Sequence, residues 1–141
     1  MVLKGLASLR VSMLFDQQKY SAGIPNVKVE VWGKQVFDPR DNQTKWSDNA
    51  ALVLLDFIRH HPKMMVADNR IDWEAFKHAA TICDEIVTDP KGKLEKRYTI
   101  NGCIDLNERP APVIDDMLLS MSGELTWFGG LIGVQAGAYY G

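Results

Sequence analysis

The chain has 141 residues, of which 46% are hydrophobic and 24% charged, and its formal net charge is −2. These values suit a soluble globular fold of one domain or two small lobes. They argue against a dedicated nucleic-acid binder, which carries a strong basic excess, and against attraction to anionic membranes. No apolar run approaches the ~20 residues that a membrane span needs, and no signal peptide is expected.

The first forty residues are expected to be β structure. Alternating apolar and polar residues predict strands over residues 7–15 and 27–32. Gly33-Lys34 suits a two-residue turn, after which residues 35–37 would return as a short strand. Residues 38–42 have turn composition and are expected to end the sheet pattern.

Two helices are predicted next. Ser47, Asp48 and Asn49 are candidate N-caps for a helix over residues 50–59, which is apolar almost all round and must be covered on most sides. Asp72 is expected to cap a second helix over residues 73–87. Its apolar stripe comprises Trp73, Phe76, Ala80, Cys83 and Val87.

The last third predicts a strand over residues 97–106, a helix over 111–122, and strands over 124–128 and 131–135. Pro110 fits a first helical turn, Gly123 fits a helix stop, and Gly129-Gly130 fits a tight hairpin turn. The expected inner face of the helix comprises Val113, Ile114, Met117, Leu118 and Met121.

The fold class predicted from this order is α+β, with antiparallel strands and hairpins, a two-helix segment, and then a strand–helix–strand–strand unit. Residues 1–141 are expected to form a single α+β module. Its possible sub-lobes are a β part (1–40), a helical part (45–88) and a strand–helix–hairpin part (95–141). The abrupt ends favour a fragment of a longer chain.

No residue pattern predicts a metal, cofactor or catalytic site, and the chain is expected not to be an enzyme. His60 and His61 are interpreted as exposed residues at a helix end without metal-ligand spacing. The spacing of a calcium-binding EF-hand loop is missing around Asp38, Asp41 and Asn42. An Asx-rich turn is therefore the favoured interpretation of these residues.

The remaining polar clusters are interpreted in the same way. Adjacent carboxylates on helices point about 100° apart and favour solvated faces; these are Asp84-Glu85 and Asp115-Asp116. A solvated loop is the preferred interpretation of a basic cluster comprising Lys91, Lys93, Lys96 and Arg97. Cys83 and Cys103 are expected to be buried free thiols, with a disulfide left open.

Several segments occur in an order typical of a known family. They are a line from Ile24-Pro25-Asn26 through GKQVFDPR (33–40), then WSDNAA (46–51), IDW (71–73), ATICDE (80–85) and RYTING (97–102). This order resembles the central tail-tip, or host-specificity, proteins of lambda-like long-tailed phages and their prophage relatives. Those proteins carry lines of the form GK.VYDPR, WSDNPA, YCDE and R(Y/F)TCNG. Ala50 and Ile100 depart from the family's Pro and Cys.

The resemblance covers about residues 5–138 and implies an internal part of a much longer protein. It implies a structural component of a bacteriophage tail tip, similar to baseplate hubs, that acts in tail assembly and the host-attachment apparatus. Three copies would form a ring with other phage tail proteins as partners. The expected location is the virion tail tip, after synthesis in the bacterial cytoplasm. In the family proteins, receptor binding belongs to the distal C-terminal part, so it is not expected of this chain.

Aromatic residues are the candidate interface anchors, since they concentrate at interface cores. The candidates are Trp32, Trp127, Tyr139 and Tyr140, whereas a core position is favoured for Trp46. Two alternatives stay open. A peptide- or carbohydrate-binding module predicts an exposed aromatic platform, and a small cell-wall hydrolase domain predicts a cleft with carboxylates or a His–Asp pair.

Overall fold

The computed structural model describes residues 9–14, 16, 23 and 26–138. The chain divides into two units, Met1–Val31 and Trp32–Gly141. The described residues of the first unit form no helix or strand, and Val27, Val29 and Val31 are exposed. The strand predicted over 27–32 is therefore wrong, because alternation does not make a strand without a partner for its backbone groups. Of the strand predicted over 7–15, residues 9–14 are irregular and the rest lies outside the described residues.

The described part of the second unit contains three α-helices, a 3₁₀ helix at Asp68–Arg70 and six strands. The helices are α1 (Ala50–His60), α2 (Trp73–Asp84) and α3 (Pro110–Ser120). The strands are β1 (Val36–Asp38), β2 (Gln43–Lys45), β3 (Ile86–Thr88), β4 (Leu94–Lys96), β5 (Glu124–Phe128) and β6 (Leu131–Gln135). They pair as three antiparallel two-stranded sheets, β1–β2, β3–β4 and β5–β6, which confirms the α+β prediction.

Helix α1 lies at the centre of the core, as its apolar surface predicts. Seven of its eleven residues are buried, and each large aliphatic side chain among them contributes about 1.5–3 kcal/mol. Asn49 is the N-cap, and its Oδ1 accepts hydrogen bonds from Ala51 N and Leu52 N at 3.1 and 3.2 Å. Its Nδ2 donates to Ala80 O of α2 at 2.8 Å, so this buried amide also links the two helices.

Helix α2 starts as predicted but ends earlier. Asp72 caps it by accepting from Ala75 N at 3.0 Å, and Phe76, Ala80 and Cys83 are buried. The helix stops at Asp84 rather than at residue 87, because the following residues pair with β4 as the strand β3. Val87 therefore belongs to a hairpin and not to the helical stripe.

The first hairpin differs from the predicted one. Strand β1 pairs forward with β2, in the register Val36 with Lys45 and Asp38 with Gln43. Asn42 has a positive φ of 58°, and Asp41 Oδ1 accepts from Gln43 N at 3.0 Å. The Asx-rich turn is thus confirmed, but it closes a hairpin instead of ending the sheet.

The strand predicted over residues 97–106 is also wrong. Strand β4 lies at Leu94–Lys96, and after it only Thr99 makes a bridge, to Asn49. Tyr98 and Ile100 are partly buried against the core, as the alternation suggests. Ile104 and Leu106 are exposed, so the apolar side chains in the second half of the alternating segment do not pack against the core.

Helix α3 and the final hairpin match their predicted positions closely. Ile114, Met117 and Met121 are buried, and Val113 and Leu118 pack against the core. The helix ends in a Schellman motif, with hydrogen bonds from Ser122 N to Leu119 O and from Gly123 N to Leu118 O.

The left-handed residue of that motif is Ser122, with a φ of 48°, rather than the expected stop at Gly123. Gly123 is required for another reason. A Cβ there would lie 2.6 Å from Gln135 O, so only glycine lets the helix end approach β6. Strand β6 in turn packs on α2, where Ala75 Cβ would lie 3.0 Å from a Cβ at Gly133.

Candidate functional site

Five charged residues from separate segments meet beside the ends of α1 and α2. This charge network comprises Asp38, Arg40, Asp48, Asp84 and Lys96. Asp38 ends β1, Arg40 lies in the first hairpin turn, and Asp48 precedes the α1 cap. Asp84 is the last residue of α2, and Lys96 ends β4. The network therefore joins two hairpins to the helical core.

Asp38 and Arg40 form the most buried pair of the network. Asp38 is only 2% exposed, so its charge must be compensated within the protein. Arg40 Nε donates to Asp38 Oδ1 at 2.9 Å and Nη2 donates to Oδ2 at 2.8 Å, a two-pronged pairing. The backbone N of Arg40 adds a third hydrogen bond at 3.0 Å.

Arg40 extends the network to the C-terminal end of α2. Its Nη2 also donates to Asp84 Oδ2 at 2.8 Å, across 44 residues of sequence. Lys96 Nζ lies 3.1 Å from Asp84 Oδ1 and 2.9 Å from Asp48 Oδ1. One guanidinium and one ammonium thus bridge three carboxylates from separate parts of the chain, and Lys45 Nζ lies 3.8 Å from Asp38 as a third cation.

The ionisation of these groups follows from their partners. Burial raises the pKa of Asp38 and Asp84, but hydrogen bonds from Arg40 to both, and the charge of Lys96 beside Asp84, outweigh it. Both carboxyls therefore have a pKa below the ordinary value of 3.8. The hydrogen bond to Asp48 raises the pKa of Lys96, and the hydrogen bonds to Asp38 raise that of Arg40.

Sequence reasoning missed this network. Asp84-Glu85 was predicted to be a solvated face, but Asp84 binds two cations, and Glu85 Oε2 accepts from Arg97 Nε at 3.0 Å. The basic cluster divides: Lys96 and Arg97 are ion-paired, whereas Lys91 and Lys93 are exposed on the turn. The available signal was that Asp38 and Asp48 each lie next to a predicted element boundary, whereas Asp84 lies inside the helix predicted over 73–87.

The aromatic interface candidates lie on the surface where the structure describes them. Trp32 is 74% exposed and Trp127 is 66% exposed, whereas Tyr139 and Tyr140 lie outside the described residues. Trp46 is 39% exposed and packs edge-on against Trp32, with ring centroids 4.9 Å apart, so its favoured core position is wrong.

Phe128 was not among the candidates, yet it is 84% exposed. It follows Trp127 at the tip of the β5–β6 hairpin, where Gly129 and Gly130 both have positive φ. Two large aromatic side chains therefore stand beside a tight turn.

A second cluster, also missed from the sequence, surrounds Arg59 at the end of α1. The guanidinium lies 5.5 Å from the ring centroid of Phe37 and 5.3 Å from that of Trp73. Its Nε and Nη2 donate to the two carboxylate oxygens of Asp68 at 2.9 and 3.0 Å. These contacts attach β1 and the 3₁₀ helix to α1 and α2.

The burial of His61 and of Cys103 differs from the prediction, whereas that of His60 and of Cys83 agrees with it. His60 is exposed, but His61 is 3% exposed and packs on Phe57, with ring centroids 4.7 Å apart. Both cysteines are free; Cys83 is buried as expected, whereas Cys103 is exposed because the strand predicted around it does not form.

The described residues contain no group of three His, Cys, Asp or Glu side chains placed to hold a metal ion. Among the same residues, no helix is long and apolar enough to cross a membrane. No protein-family model matches the chain, and no curated protein matches it significantly. The ordered resemblance of its segments remains a hypothesis.

Proposed function

We propose that this chain is a structural, non-catalytic module of a bacteriophage or prophage tail tip, with other tail proteins as its partners. It would act in the hub that closes the tail tube, as a homotrimer, within the virion tail tip. The proposal starts from the ordered segments that resemble central tail-tip proteins, and two features of the structure support it.

The observation that carries the proposal is that the resembling segments meet in space. The DPR segment contributes Asp38 and Arg40, the SDN segment contributes Asp48, and the CDE segment contributes Asp84. Lys96 directly precedes the RYTING segment. Three of the resembling segments thus contribute residues to one network, and RYTING begins directly after its member Lys96, as expected if their shared order reflects one shared structure.

The exposed aromatic residues are the second support. One exposed group is the hairpin tip with Trp127 and Phe128, and the other is the Trp32–Trp46 pair, which lies outside the helices and strands. A ring of identical subunits needs two different contact surfaces on each subunit, and aromatic side chains are effective anchors for both. We assign these two groups to the contacts within the ring and with neighbouring tail proteins.

The test is whether the chain is part of a particle. Phage or tail-like particles purified after prophage induction of the source bacterium should contain its peptides, detected by mass spectrometry. Deletion of the gene should leave particles without a closed tip in electron micrographs. Peptides found only in the fraction without particles, together with intact tips after deletion, would contradict the proposal.

Exposed aromatics also favour a second candidate, a carbohydrate- or peptide-binding module, because Trp127 and Phe128 are both exposed at a hairpin tip. Titration with cell-wall fragments, followed by tryptophan fluorescence, separates the two. Saturable quenching that is lost in Trp127→Ala and kept in Trp46→Ala supports the binding module. No response up to millimolar concentrations leaves the structural role favoured.

A further inference from the structure

The β3–β4 hairpin carries little apolar packing. Each strand has three residues, and five of these six residues are exposed. Ile86 is 63% exposed and Leu94 is 68% exposed, so the two largest apolar side chains of the hairpin bury little surface. The hydrophobic effect therefore contributes little to holding this hairpin against the core.

The hairpin is nevertheless well ordered within itself. Asp89 Oδ1 accepts hydrogen bonds from Lys91 N and Lys93 N, both at 2.8 Å, and Gly92 provides the positive φ of the turn. Asp89 N also donates to Lys93 O at 2.9 Å. A hairpin closed in this way moves as one body rather than residue by residue.

Polar contacts attach the hairpin to the rest of the second unit. Lys96 Nζ pairs with Asp48 and Asp84, and Arg97 Nη2 lies 2.9 Å from Glu85 Oε2. Arg97 N donates to Glu85 O at 2.8 Å and Tyr98 N donates to Cys83 O at 3.1 Å. The contacts between Arg97 and Glu85 continue the register of the hairpin's own strands. Opening of the hairpin as one body would therefore break the ion pairs of Lys96 and the hydrogen bond from Tyr98 N to Cys83 O.

We propose that the β3–β4 hairpin is a hinged flap, and that Lys96, held between Asp48 and Asp84, is the electrostatic clasp that keeps it closed. The side chains of Lys96 and Asp48 are 40% and 21% exposed, so dissolved ions reach this pair, whereas Asp84 Oδ1 is buried. Exposed ion pairs weaken as salt rises, because the Debye length falls from about 10 Å at 0.1 M to about 3 Å at 1 M. The clasp thus makes the orientation of the flap sensitive to ionic strength, whether or not the chain belongs to a phage tail.

Hydrogen exchange of the backbone amide of Tyr98, which donates to Cys83 O of α2, measures opening directly. Lys96→Met keeps the aliphatic stem and removes the charge, and Lys93→Met is the matched control on the exposed turn of the same hairpin. Partly exposed ion pairs shift such an equilibrium by about two- to fivefold each. Because Lys96→Met removes two pairs, we expect exchange at this amide to be about four- to twenty-five-fold faster at low salt and unchanged in Lys93→Met.

Salt supplies the second arm of the test. Raising the salt from 0.05 to 1 M, about a fourfold fall in Debye length, should speed exchange in the native chain and have little effect in Lys96→Met. The buried thiol of Cys83 reports opening of the core and should keep its slow reaction, whereas the exposed Cys103 reacts at once.

Equal exchange in the two lysine variants would overturn the proposal. So would an increase shared by the amides of α1 and α2, or faster labelling of Cys83, because either would show global loosening. The charge swap Lys96→Glu with Asp48→Lys keeps the test informative if Lys96→Met is poorly folded, since it should restore slower exchange than Lys96→Glu alone.

Discussion

Removing the guanidinium of Arg40 should destabilise the fold more than the loss of any exposed cation. Arg40→Met keeps much of the side-chain volume but leaves the carboxylate of Asp38 buried, since this residue is only 2% exposed. It also removes the partner of Asp84 Oδ2. The variant therefore tests whether the charge network holds the first hairpin on the helical core.

The magnitude follows from what remains around Asp38. Breaking a fully buried ion pair costs about 3–5 kcal/mol. Here Asp38 keeps the backbone hydrogen bond from residue 40 at 3.0 Å, and Lys45 Nζ lies 3.8 Å away. Because the Arg40 side chain is also 28% exposed, we reduce the expected loss to about 2–3 kcal/mol.

Urea unfolding at pH 7, followed by circular dichroism, measures this loss as a lower midpoint with an unchanged slope. Lys77→Met is the control, because Lys77 pairs with Glu74 on an exposed helix face and should change stability by less than about 0.5 kcal/mol. In the double variant Asp38→Asn/Arg40→Met, the total loss should be smaller than the sum of the two single losses, by about 1–2 kcal/mol.

Two outcomes would refute the reasoning. The first is a loss for Arg40→Met that is no larger than the loss for Lys77→Met. The second is strict additivity in the double variant, since this would mean that Asp38 and Arg40 contribute independently despite their hydrogen bonds.

Three further predictions concern acid, close packing and capping. Because the pKa of Asp38 and of Asp84 is lowered in the folded protein, their stabilisation is complete above the unfolded value of 3.8 and is lost as the pH falls through their folded pKa values. The urea midpoint should therefore decrease when the pH is lowered below about 4. An unchanged midpoint would contradict this prediction. Gly123→Ala should cost about 1–3 kcal/mol in urea unfolding because its Cβ would lie 2.6 Å from a backbone oxygen of β6. Gly102→Ala, which meets open space, should stay within about 0.5 kcal/mol, and equal losses would contradict the packing argument. Asn49→Ala should lower the thermal midpoint through loss of about 1–2 kcal/mol, and an unchanged midpoint would show that the cap is dispensable.

The elements that could be predicted are those whose signals are local. Asn49 and Asp72 lie directly before periodic apolar segments, and both cap helices as expected. Gly129-Gly130 between two apolar runs predicted β5 and β6 with their bounds. In each case the capping or turn residue lies next in sequence to the element whose core-facing residues it helped to identify.

The wrong strand predictions rested on alternation of apolar and polar residues, which does not show whether a strand finds a partner. Residues 27–32 and 35–37 looked like a hairpin, but Gly33 does not take the positive φ that such a turn needs. The charge network could not be predicted for a different reason, because Arg40 and Asp84 are 44 residues apart. Nothing in either local sequence indicates the other, so only the packing of α1 on α2 brings them together.

The three described sheets share no strand, and this has a consequence for how the protein tolerates change. A central sheet transmits a shift in one strand to every neighbour, whereas here each hairpin ends in its own surface turn. Residues could therefore be inserted at Gly92 or between Gly129 and Gly130 without changing the pairing of another sheet. The helices and β6 keep their core packing, whereas the tip of each hairpin can vary in length independently of the other hairpins.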